Sequence, residues 1–171
     1  MTRPRLATVW LAGCSGCHMS LLNLHGGLLE LLQECDLVYS PLADVKEYPD
    51  RVDIALVEGA VSNEENREMA WIIRRRTACV VSLGDCAVNG NVSALRNPMG
   101  RAATLGRVYG ETAPEEAVPR LLPRTLPLHE VIGVDAFLPG CPPDPERIWW
   151  VLARLLRGQP ADLPPEMVRF G

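Results

Sequence analysis

Four of the six cysteines in this chain stand just past runs that read as β-strands: Cys14 and Cys17 in Gly-Cys-Ser-Gly-Cys, Cys86 in Leu-Gly-Asp-Cys-Ala, and Cys141 in Pro-Gly-Cys-Pro-Pro. That placement constrains the fold. In an open α/β sheet the loops leaving neighbouring strands converge on one crevice beyond the strands' carboxyl ends, however far apart they lie in sequence. Four thiolates can then meet at one point.

The runs between the cysteines agree with such a sheet. Leu6 to Ala12 is almost wholly apolar, as expected of a strand buried on both faces of a parallel sheet. Met19 to Cys35 is Leu-rich at helical spacing, and its Gly26-Gly27 pair marks a close backbone approach or a break. Asp36 to Leu42 and Val52 to Val57 read as strands. Asn63 to Arg76 reads as a helix opened by an Asn N-cap, with Glu64 and Glu65 in its first turn. Ala78 to Leu83 and Val131 to Leu138 are further strands. Asp144-Pro145-Glu146 then supplies an N-cap, a first-turn proline and an acidic start for a helix to about Arg157. Strand and helix alternate, the signature of a doubly wound parallel sheet.

The expected organisation is one domain over residues 1–157 and an extended tail over 158–171, which either frays or lies along another subunit. Residues 97–127 interrupt the rhythm with Pro98, Pro114, Pro119, Pro123 and Pro127. They read as an irregular segment, either covered by a partner or an ordinary surface excursion with a short helix near Glu115.

The rest of the composition excludes several classes. With 47% hydrophobic and 22% charged residues, the chain can bury a core without disulfides. Met1-Thr-Arg-Pro-Arg leads into a strand and not into a secretory signal, so a cytoplasmic protein with reduced thiols is expected. No apolar run reaches the roughly 18–20 residues of a membrane helix. A net charge of -4 gives no field that would gather nucleic acid. The one basic run, Arg74-Arg75-Arg76, reads as a solvated helix end or a partner contact.

Several readings of the four cysteines compete. An iron-sulfur cluster uses soft thiolates and hydrogen bonds from glycine-rich loops, and Gly13, Gly16, Gly84, Gly90 and Gly140 flank the cysteines. Structural zinc accepts the same donors but usually draws them as paired C-x-x-C knuckles on a small ribbon. Here there is one knuckle, with 68 residues between Cys17 and Cys86 and 54 between Cys86 and Cys141. A thioredoxin-like dithiol suits Cys14 and Cys17 but leaves Cys86 and Cys141 without a role. Coincidental core cysteines complete the alternatives. Cys35 and Cys79 read as small packed hydrophobes.

Four segments together carry a resemblance: Val-Trp-Leu-Ala-Gly-Cys-Ser-Gly-Cys-His-Met-Ser, Val-Glu-Gly-Ala-Val, Ser-Leu-Gly-Asp-Cys-Ala-Val-Asn-Gly and Leu-Pro-Gly-Cys-Pro-Pro-Asp-Pro. In that order they resemble the small subunit of NiFe hydrogenases, over about Leu6 to Arg157. The resemblance implies a flavodoxin-like domain with one proximal 4Fe-4S cluster on Cys14, Cys17, Cys86 and Cys141, fed by a NiFe centre on a separate large subunit. The homologous quinone-reductase subunit of respiratory complex I has two adjacent cysteines at the first position, whereas Ser15 and Gly16 separate Cys14 from Cys17 here.

The resemblance to periplasmic and membrane-bound small subunits reaches only their first half, so neither their second, cysteine-rich domain nor their twin-arginine signal is expected here. The expectation is therefore a cytosolic bidirectional NAD-reducing hydrogenase, in which diaphorase subunits with FMN and further Fe-S clusters reach NAD. Coenzyme F420 or another acceptor, a complex I type subunit and a zinc-stabilised assembly module are the alternatives. No glycine-rich dinucleotide fingerprint is present, and a flavin on this chain is open.

Three further groups could carry chemistry. Glu58, after the third strand, is either a proton relay or a loop carboxylate accepting from backbone amides. His18 either donates near a cluster sulfur or to a partner, or has a local polar role. His25 reads as packed or interfacial within the Leu-rich helix. Of the adjacent Trp149 and Trp150, one is expected to pack inward while the other is free to meet a partner.

Overall fold

The computed structural model describes residues 3–112, 118–168 and 170. β1 (Arg5–Trp10) leads into α1 (Gly16–Leu22) and α2 (Gly26–Glu34), then β2 (Asp36–Tyr39) and β3 (Val52–Glu58). β4 (Val61–Asn63), α3 (Glu64–Arg76), β5 (Thr77–Leu83) and α4 (Gly84–Asn89) follow. After a 3-10 turn at Asn91–Arg96 come α5 (Gly100–Tyr109), β6 (Leu121–Leu126), β7 (Ala136–Leu138) and α6 (Pro145–Leu156).

The five-stranded sheet has the order β2-β1-β3-β5-β7, with every pairing parallel. This is the flavodoxin-like winding, in which the chain turns one way from β1 to β2 and the other way from β3 onward. Alternation along the strands divides the core in two. Ala7, Val9, Ala55, Val57 and Val80 pack with Ala70 and Ile73 of α3 on one face. Leu6, Ile54, Leu56, Val81 and Leu83 pack on the other with Leu21, Leu31 and Ile148, from α1, α2 and α6. Cys35 and Cys79 belong to that second face, Cys35 buried and Cys79 half-buried against it, which matches their reading as packed hydrophobes.

Local signals explain several boundaries. Asn63 caps α3, its side chain accepting from the Asn66 amide at 2.7 Å. Asp144 occupies the N-cap of α6, but its carbonyl and not its carboxylate takes up the helix, accepting from Arg147 and Ile148. The single helix expected over Met19–Cys35 is two, because the chain turns at Asn23–His25 just ahead of the Gly26-Gly27 pair. Val131–Leu138 yields only the short β7, because a 3-10 turn at Leu128–Glu130 first drives Leu128 and Ile132 into the core.

Residues 97–127 are not irregular as expected. They hold α5 and β6, and β6 pairs antiparallel with β4 in a second, two-stranded sheet. Pro123 is tolerated there because an edge strand needs no donor on its outer side. Asn97 secures the strand, accepting from the Thr125 amide at 2.7 Å and donating to the Thr125 carbonyl at 2.9 Å. The short helix expected near Glu115 lies outside the described residues.

After α6, residues 160–163 lie against the domain. Ala161 is buried, Leu163 packs on the second core, and Arg154 Nε donates to the Pro160 carbonyl at 2.7 Å. The arginine run is a solvated helix end at Arg75 and Arg76, which are exposed in the last turn of α3, while Arg74 ties neighbouring elements together. Arg74 donates to the Gly133, Thr77 and Ala78 carbonyls and to Asp135, while Arg76 pairs with Asp50 at 2.8 Å. Trp149 and Trp150 are both half-buried; Trp149 lies against Gly27 of α2, and the Arg154 guanidinium sits 4.9 Å from the Trp150 ring. No helix among the described residues is long and apolar enough to cross a membrane.

Candidate metal centre

All four cysteines come to the carboxyl edge of the sheet. Cys14 lies in the loop after β1 and Cys17 in the first turn of α1, Cys86 in the first turn of α4, and Cys141 just after β7. Cys14 and Cys141 are exposed, Cys86 is half-buried and Cys17 is buried. The loops leaving β1 and β3 flank the point where the winding reverses, which is where open α/β sheets bind ligands.

The loops are locked to one another. Asp85 Oδ1 accepts from the Gly140 amide at 2.6 Å while the Asp85 amide donates to the Gly140 carbonyl at 2.9 Å, a two-way latch between the Cys86 and Cys141 loops. Ser20 Oγ of α1 donates to the Pro143 carbonyl at 2.6 Å. Ala12 and Ala60 exchange backbone hydrogen bonds of 3.0 and 2.9 Å, joining the β1 and β3 exits. Gly84 has φ of +79°, and a Cβ there would stand 2.2 Å from Cys17 Sγ. The Cys17 thiol therefore occupies space that only a glycine leaves free.

Electrostatics report the same convergence. The Cys17 thiol is pushed far above its ordinary pKa, first by burial and then by Glu58, Cys86, Cys14 and Cys141. Cys86 is likewise raised by burial and by Cys141 and Cys14, with Ser93 hydrogen bonding acting against the rise. Four thiolates gathered without a countercharge repel one another, so the set favours a cationic centre.

The donor set fits an iron-sulfur centre. Zinc-sulfur bonds of about 2.3 Å would hold four thiolates on one point. Among the described residues no three Cys, His, Asp or Glu side chains are so arranged. An all-thiolate donor set, carried on three loops far apart in the chain, suits iron and sulfide.

Beneath the thiols lies a buried polar pair. Glu58 and His18 are each 2% exposed. Glu58 Oε2 accepts from the His18 backbone amide at 2.9 Å and also meets His18 Nδ1. Among the described residues His18 Nε2 is buried with no hydrogen-bond partner. Glu58 is thus an interior carboxylate that does accept from a backbone amide, and His18 directs its Nδ1 to that carboxylate and not to a sulfur. His25 is not packed within a helix: it is exposed, at φ of +50° in the turn between α1 and α2.

Reading the sequence for ligands missed Asp85, Ser20 and Asn91, the last of which donates from Nδ2 to Cys141 Sγ at 3.3 Å. Asp85 had a visible signal, a carboxylate between a glycine and a cysteine at a strand exit. Ser20 and Asn91 had none, because their partners lie 123 and 50 residues away.

Comparison with known proteins places this edge in context. The family model of NADH ubiquinone oxidoreductase, 20 Kd subunit, matches residues 14–155. The delta subunit of the NAD-reducing hydrogenase HoxS of Cupriavidus necator is 38% identical over 97% of this chain and 85% of its own length. A subunit of the F420-non-reducing hydrogenase vhu of Methanocaldococcus jannaschii is 37% identical over 96% of this chain, which spans 60% of that relative. A chain from the crystal structure of NAD+-reducing [NiFe]-hydrogenase in the H2-reduced state superposes with a TM-score of 0.93 at 39% identity, covering 99% of both chains. A [NiFeSe] hydrogenase from Desulfovibrio vulgaris Hildenborough, at 17% identity and a TM-score of 0.58, shares the fold.

Proposed function

This chain belongs to the NADH ubiquinone oxidoreductase 20 Kd subunit family and is homologous to hydrogenase small subunits, and from that premise we propose that it is the electron-transfer small subunit of a cytosolic NiFe hydrogenase. The observation that carries the reading is the meeting of Cys14, Cys17, Cys86 and Cys141 at one sheet edge, on a fold matched over 99% of its length by a chain of an NAD+-reducing [NiFe]-hydrogenase.

In this reading the four cysteines would hold one 4Fe-4S cluster, whose chemistry would be single-electron transfer between a NiFe centre on a large subunit and diaphorase subunits bearing FMN and further Fe-S clusters. NAD is reached through those partners. The chain itself makes and breaks no substrate bond.

The protein's own residues do three things. The Asp85–Gly140 latch and the Ser20–Pro143 bond hold the Cys86 and Cys141 loops and α1 in fixed relation, so little rearrangement accompanies charge transfer. Exposed Cys14 and Cys141 put two ligands at the surface, where a partner's redox centre approaches, while Cys17 is shielded from water. Glu58 and the His18 ring share a buried hydrogen bond beside Cys17, so a proton held at Glu58 Oε2 has a relay partner within the interior.

The test is co-expression with the neighbouring hydrogenase subunits, anaerobic purification of what assembles, and analysis of iron, acid-labile sulfide and zinc. About four irons and four sulfides on this chain are expected; zinc without sulfide sinks the reading. Hydrogen-dependent reduction of NAD is the expected activity. The relatives named as F420-non-reducing hydrogenases make other acceptors worth assaying in parallel, and quinone-linked activity in place of hydrogen oxidation would move the chain to the complex I branch.

A further inference from the structure

The 3-10 turn after α4 brings donors to two of the cysteine sulfurs, Ser93 to Cys86 and Asn91 to Cys141, and the Asn91 bond is a side-chain amide aimed at an exposed sulfur. Asn91, the first residue of the 3-10 turn Asn91–Arg96, donates from Nδ2 to Cys141 Sγ at 3.3 Å. Asn91 has φ of +36°, in the left-handed region that asparagine tolerates better than most residues. Its backbone N–H donates to Asn89 Oδ1 at 2.9 Å, which anchors the residue in that conformation. Two residues on, Ser93 Oγ donates to the Ala12 carbonyl at 3.0 Å, which ties the same turn to the Cys14 loop. The turn is therefore held on both sides, and the Asn91 side chain is held over Cys141.

We propose that Asn91 is a positioning residue that sets the reduction potential of the cluster on the four cysteines, through its Nδ2–H bond to the Cys141 sulfur. The inference rests on the cluster reading above. Adding an electron increases the negative charge carried on the ligand sulfurs. A donor N–H pointed at one of them stabilises the reduced form more than the oxidised form and raises the potential. Cys141 is an exposed ligand, so the bond also stands where a covering partner would exclude the water that competes with it.

The test is an EPR-monitored redox titration of the intact hydrogenase complex with wild type, Asn91→Gly and Asn91→Asp. Glycine accepts the positive φ and removes the donor without strain. Aspartate keeps the shape, loses the donor and adds negative charge. Iron and sulfide content is measured first: a wild-type complex lacking both fails the function itself, and this inference falls with it. With content equal in all three proteins, the midpoint is expected to shift downward in Asn91→Gly and further downward in Asn91→Asp. Unchanged midpoints at equal iron content would overturn the inference. So would loss of iron from both variants, which would make Asn91 a loop anchor and nothing more.

Discussion

Glu58 Oε2 accepts from both the backbone amide and the ring Nδ1 of His18, and both side chains lie in the interior directly under Cys17. One carboxylate oxygen thereby fixes the start of α1 and the orientation of the imidazole. It also dictates that His18 Nε2 faces the other way, where the described residues offer it no partner. In Glu58→Gln the amide oxygen can still take the backbone bond, but the side chain no longer exchanges a proton. Hydrogen-dependent turnover of the complex is expected to fall by about 100-fold, the lower end of what a positioned proton carrier supplies. Iron content should hold, and undiminished turnover would assign the pair to structure alone.

Gly84 is the position where the site admits least change. Alanine would meet Cys17 Sγ at 2.2 Å and also adopt a left-handed backbone at a cost of about 1–2 kcal/mol. Gly84→Ala is expected to purify with little or no iron, by metal analysis and visible absorption. A full iron complement would show that the Cys17 loop moves aside freely.

The Asp85–Gly140 latch predicts a linked loss of stability and cluster retention. Asp85→Ala removes a buried carboxylate that accepts at 2.6 Å, a loss of about 1.5–3 kcal/mol for a hydrogen bond to a charged group. At about 2–4 °C per kcal/mol for a chain of this size, calorimetry should register a clear drop in Tm. Iron should also leave faster in the presence of a chelator.

Cysteine replacement separates ligands from packing residues. Alanine at Cys14, Cys17, Cys86 or Cys141 should abolish stoichiometric iron. Cys35→Ala and Cys79→Ala should keep it, with a stability loss of about 1 kcal/mol or more at buried Cys35.

Asn63→Ala tests a helix start remote from the cysteines. Loss of the 2.7 Å cap to the Asn66 amide should cost about 1 kcal/mol in thermal unfolding and leave iron and sulfide unchanged.

The amino-acid sequence by itself determined the class of fold and which cysteines stand at its strand exits. Apolar strand-length runs, the Asn63 cap and the Asp144-Pro145 start are local signals, carried by backbone preferences and by the period of burial. The four cysteines were legible for the same reason: each stands at a strand exit, and strand exits in a parallel sheet share an edge. Tertiary structure decided what local signals could not carry. β6 is a strand only because β4 stands opposite it; Pro123 and the glycine-punctuated α5 hide the pattern that pairing restores. The Arg74–Asp135 staple, the Asp85–Gly140 latch, the Asn91 bond to Cys141 and the burial of Glu58 on His18 join residues 40 to 61 positions apart. Such bonds depend on which loops the sheet brings together, so the four candidate cysteines could be read from the chain, while the hydrogen bonds around them exist only once the sheet has closed.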